Sequence, residues 1–161
     1  MYRPPLVPHD FAIPDLVTAN FRLEPLGLRW LAEDFAAVTD TIDHLDGKVM
    51  PPSAMADAPA FTIEDDLIEL AWHQREFRTR QSFAWIAVDL ETMRSRGCAY
   101  LFGSPHPDED AIGFVWARWD PDEPTADEHL YSSVRKWVTD QWPLRNVGWP
   151  GRSVPWDEWL R

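Results

Sequence analysis

The chain has 161 residues, a formal net charge of −12 and an apolar fraction of 45%. That length suits one domain with a sizeable core, and the composition excludes disorder as a starting point. The charge excludes general nucleic-acid binding, which depends on Lys and Arg neutralising phosphates, and favours a cationic or neutral partner.

Residues 1–20 hold Pro4, Pro5, Pro8 and Pro14. They read as an extended arm leading into a single domain over residues 21–161. The arm lacks a signal-peptide core, and no run reaches the length of a membrane helix. A reducing cytoplasm is the expected location, with no membrane partner. Residues 21–26, Phe-Arg-Leu-Glu-Pro-Leu, alternate apolar and polar and predict a short strand. Leu31, Phe35, Val38, Ile42 and Leu45 recur at helical spacing over 29–45, and Gly47 ends that helix. Residues 48–60 form a Pro/Ala/Met loop long enough to act as a lid.

Thr62 followed by Asp65 predicts the start of a second helix, with Ile63, Leu67, Leu70, Ala71 and Phe77 on its inner face. Residues 82–88 predict a strand. Residues 97–102 predict another, in which Cys98, the only cysteine, is an inert core thiol. A lone cysteine allows no intrachain disulfide and no cysteine-based zinc site. Residues 111–119 predict a third strand of this meander. Thr125 and Glu128 have capping-box spacing before a helix over 126–142, whose inner face carries Leu130, Val134, Trp137, Val138 and Gln141. Residues 145–149 predict a last strand, parallel to its neighbour because a helix crosses over to it. A tryptophan-rich tail follows. The fold class is mixed α/β (α+β), a largely antiparallel sheet flanked by helices.

This order, carried by the strand at 21–26, the hairpin at 97–119 and the helix segment Leu-Tyr-Ser-Ser-Val-Arg-Lys-Trp-Val at 130–138, resembles the GNAT superfamily of acyl-CoA-dependent N-acetyltransferases. The likeness spans about residues 21–150. It implies a strand that splays from its neighbour, its backbone bonding the acetyl and pantetheine groups of acetyl-CoA as cosubstrate. Phe114, Val115, Trp116, Ala117 and Arg118 match that strand. Two departures stand out. The family's phosphate loop reads Gln/Arg-x-x-Gly-x-Gly/Ala. The matching segment here has no glycine and carries Asp120, Asp122, Glu123, Asp127 and Glu128. The chain is also short where the family often supplies a catalytic tyrosine. Tyr100 and Tyr131 are the nearest substitutes, and neither matches by position.

Acetyl transfer needs a base for the ammonium and an acid for the thiolate. Glu109, Asp110 and Glu128 are candidate bases by placement around the expected cleft, and Tyr131 is a candidate acid. His106, Asp108, Glu109, Asp110 and His129 have no ligand spacing that forces a metal site, and a solvated hairpin turn accounts for the first four. Two functions follow. One is N-acetyl transfer to a small-molecule or protein amine. The other is a non-catalytic GNAT-shaped binding or dimerisation protein with a degenerate cofactor site. Trp156 and Trp159 point to a homodimer through the tail, or to a tail folded back over its own sheet.

Overall fold

In the computed structural model, which describes residues 3–161, five strands hydrogen-bond in chain order. They are β1 (Phe21–Pro25), β2 (Ser82–Asp89), β3 (Ser95–Gly103), β4 (Ala111–Ala117) and β5 (Val147–Gly148). Three successive pairings are antiparallel, with Trp85 opposite Ala99 and Ala99 opposite Val115. The fourth, β4 with β5, is parallel and consists of Ala111–Val147 and Ile112–Gly148. The helix α3 (Ala126–Gln141) makes that crossover. Helices α1 (Leu31–Thr41) and α2 (Ile63–Thr79) lie between β1 and β2 in the chain. Among the described residues, no helix is long and apolar enough to cross a membrane.

Period-two patterning divides the core between the two faces of β2. Phe83, Trp85 and Ala87 pack with Val134, Trp137 and Val138 of α3. Ala84, Ile86 and Val88 pack with Ala37 of α1 and Leu70 of α2. A strand covered on both faces has no polar side, which is why β2 reads Phe-Ala-Trp-Ile-Ala-Val. The segment before β1 is docked on the α3 face. Val7 is buried there, Trp137 Nε1 donates to Asp15 O, and Arg80 donates to the carbonyls of Pro8 and Phe11.

Several expected features differ. The first helix is bracketed by 3-10 turns at Leu28–Trp30 and Ile42–His44. Thr125 makes no side-chain cap bond; Glu128 instead accepts from Ser132, one turn along α3. Gln141 is exposed, and Tyr131 takes a place on the inner face of α3. Helix α2 does have the capping box, with Thr62 and Asp65 bonding each other's backbone N–H. Its inner face, however, is Asp66, Leu70, His73 and Glu76, while Ile63, Leu67 and Ile68 are exposed.

The tail's role as a homodimer interface presupposes two tryptophans without cover, and the fold covers both within the chain. Trp156 and Trp159 form the short helix α4 (Trp156–Trp159). Trp156 stacks on Phe114 and donates to Gly47 O. Trp159 packs edge-on to Trp156 and donates to Glu109.

Candidate functional site

β5 leaves β4 after Ile112, so the edge of β4 from Gly113 to Ala117 faces no strand. Unpaired backbone groups there must find other partners. Arg152 supplies one, donating from Nη2 to Val115 O at 2.8 Å. Asp127 supplies the other, accepting from Ala117 N at 3.0 Å. The two side chains also pair with each other at 2.6 Å, and Lys48 joins Asp127 at 3.1 Å. Burial pushes the Asp127 carboxyl up, but the bonds from Arg152 and Ala117 and the charges of Arg152 and Lys48 hold it below its ordinary value.

Glycines make this closure fit. A Cβ at Gly113 would drive into the Trp149 ring. Gly151, at φ +77°, turns the chain so that Arg152 enters the gap while Trp156 reaches Gly47.

The acidic segment before α3 is also bonded to itself. Asp120 accepts from the backbone N–H of Asp122 and Glu123, and Ala126 N donates to Glu123 O. It borders a polar groove of about 940 Å3 in which Arg96 pairs with Asp89 and Glu123.

The odd and even residues of β4 face opposite ways. Val115 and Ala117 enter the core beneath α3. Phe114 and Trp116 line a cavity of about 260 Å3 under α1 and α2. Asp34 and Asp66 sit at its base, joined by a hydrogen bond in which Asp66 holds the proton. Burial, then the charge on Asp34, pushes Asp66 up to about 8. Burial likewise raises Asp34, and burial holds His73 down at about 4.

A chain of donors ends on this pair. Trp116 Nε1 donates to Tyr100 Oη at 3.2 Å, Tyr100 donates to Cys98, and Cys98 Sγ donates to Asp34 Oδ1 at 3.0 Å. Burial pushes both the thiol and the phenol well above their ordinary values, so neither is a ready nucleophile.

The candidate bases and acid do not converge. Glu109 lies in the β3–β4 turn, accepting from Ser104 and Trp159. Glu128 is exposed on the first turn of α3, at the other end of β4. Seven residues of strand span about 20 Å, too far for the two to share a proton path. Asp110 closes the turn by accepting from the backbone of Arg145 and Asn146. Tyr131 is the one at the open edge. It is buried beneath the Arg152 guanidinium, 5.0 Å from its ring centroid, with its hydroxyl unpartnered. Of the five β4 candidates, Val115 and Ala117 present backbone to the gap, and Phe114 and Trp116 present side chains to the cavity. Arg118 turns to α1, pairing with Asp40 and Glu33.

A ribosomal L7/L12 α-N-protein acetyltransferase superposes with a TM-score of 0.61, over 88% of this chain and 74% of its own, at 10% identity. The fold is that of the GNAT acetyltransferases. A ribosomal-protein-S5-alanine acetyltransferase from Vibrio fischeri agrees, with a TM-score of 0.56 over 78% of this chain and 67% of its own, at 9% identity. No family model and no curated protein matches the sequence. Acyl-CoA does not fit this GNAT fold as it stands. The backbone groups that would hold the thioester arm are bonded to Arg152 and Asp127, and the phosphate end meets carboxylates.

The acids and His73 of the cavity escape a search for chemical motifs because they sit at apolar positions of two helices. The available signal is spacing. Asp66, Leu70, His73 and Phe77 recur at i, i+4, i+7 and i+11, a helical face as regular as the apolar one.

Proposed function

We propose that this protein is a non-catalytic binding protein built on the GNAT fold, with its opening for acetyl-CoA closed by its own side chains. The observation that carries this reading is the Arg152–Asp127 pair on the free edge of β4. A pantetheine arm entering there would have to displace a buried ion pair. Separating such a pair leaves an uncompensated charge in a poorly solvated place, which is costly. The acidic segment adds repulsion of the phosphates.

A second reading, N-acetyl transfer from acetyl-CoA to a small-molecule or protein amine, is favoured by a separate observation. The cavity opens on Phe114 and Trp116, so an acceptor in it would lie beside the strand that presents the thioester in the family.

Calorimetry with acetyl-CoA and with CoA separates the two. The closed edge is expected to give no submicromolar binding. An Arg152→Ala, Asp127→Asn double variant is expected to bind CoA at least about tenfold more tightly than the unmodified chain. Submicromolar binding by the unmodified protein would refute the binding-protein reading and support transfer.

A further inference from the structure

The cavity between α1, α2 and β4 carries chemistry that the closed edge does not explain. Its volume, about 260 Å3, equals about nine waters, room for one ring on a short stem. Val38, Ile42, Phe61, Phe102 and Phe114 make apolar walls. The floor is acidic: Asp34 is 3% exposed and Asp66 1%, with Glu69 at the rim. Among the described residues, no Lys or Arg lines the cavity, and none of these three carboxyls joins an ion pair. Asp66 Oδ2 and His73 Nδ1, each more than nine-tenths buried, find no hydrogen-bond partner in the protein. Buried acids without a countercharge are a poor stability device compared with apolar side chains of the same size. A cationic guest resolves that imbalance.

The geometry points to this cavity as the binding site of a compact apolar monoamine, its ammonium held by Asp34 and Asp66 and its body against Phe61, Phe102 and Phe114. This names the ligand of the binding protein proposed above and rests on that reading for its role. The groups facing the ammonium are Asp34 from α1, Asp66, Glu69 and His73 from α2, and Cys98 and Tyr100 from β3. Without a guest, the two aspartates share a proton. An ammonium beside them favours both anions. Binding near neutral pH therefore releases a proton from Asp66 to solvent, and the neutral His73 stays an acceptor.

The test uses the full chain without acetyl-CoA, so its result is independent of the β4 edge. 2-Phenylethylamine, 2-phenylethanol and 3-phenylpropionate are titrated by calorimetry in two buffers of different ionisation enthalpy. The amine is expected to bind and the alcohol and acid to bind at least tenfold more weakly, with a buffer-dependent heat that reports proton release. Asp66→Asn, which mimics the neutral carboxyl and so keeps the fold, is expected to weaken the amine at least tenfold and abolish the buffer dependence. Methyl NMR of Met50 and Met55, which line the cavity mouth, gives a second readout and is expected to shift with the amine alone. Equal binding of amine and alcohol would overturn the proposal, as would unchanged binding by the Asp66 variant or no shift at either methionine.

Discussion

At the scale of single residues, the buried aspartate pair makes a sign-definite statement about pH. Folded Asp66 keeps its proton up to about 8, whereas the unfolded chain loses it near 3.8. The folded state binds more protons across that window, so stability falls as pH rises through it. The elevated Asp34 and Glu69 act in the same direction. His73 opposes them between about 4 and 6.5, where the unfolded chain is the one that binds more protons. Between pH 6.5 and about 8 that opposition is gone, and the melting temperature is expected to fall. Asp66→Asn is expected to flatten the slope, as scanning calorimetry at a series of pH values would report. A flat profile for the unmodified chain would rule out the shared proton. Gly113 gives a second residue-scale expectation. Gly113→Ala places a methyl group against the Trp149 ring and is expected to cost about 1–3 kcal/mol in a urea melt, as overpacking does.

The two helix starts separate at the scale of elements. Thr62 and Thr125 look alike in sequence, each with an acid three residues on. Only Thr62 closes a capping box, because Asp127 and Glu128 are bonded elsewhere: Asp127 to Ala117 and Arg152, Glu128 to Ser132. Thr62→Ala is therefore expected to cost about 1 kcal/mol, and Thr125→Ala less than about 0.5 kcal/mol, by chemical denaturation. Equal losses would contradict the assignment. This contrast also shows what was legible in the sequence. Strand order and the parallel last strand follow from alternation and from a crossover helix, both local patterns. The inner face of α2 does not, because apolar residues lie on several sides of that helix and a polar face was chosen for burial. The partners of Asp127 and Arg152 are 25 residues apart in the chain, and no spacing rule links them.

For the whole molecule, the tail substitutes for a missing sheet edge. Trp149, Arg152 and Trp156 cover β4 where β5 departs. Removing residues 154–161 is expected to lower the melting temperature of the chain, because Phe114 loses its stacked partner and Gly47 its donor. Light scattering alongside the melt would distinguish this from loss of a dimer. A truncated chain with an unchanged melting temperature would show that the tail does not close the sheet.

The bond from Trp156 to Gly47 O joins residues 109 positions apart. During synthesis, β4 and α3 are complete before this contact can form. Until residues 149–156 arrive, the β4 edge offers bare N–H and C=O groups beside exposed aromatics, the kind of strand that recruits neighbours. The segment that closes the edge in the finished protein is thus also its guard against aggregation during biogenesis, and a ribosome stalled after α3 would hold the chain in its most adhesive form.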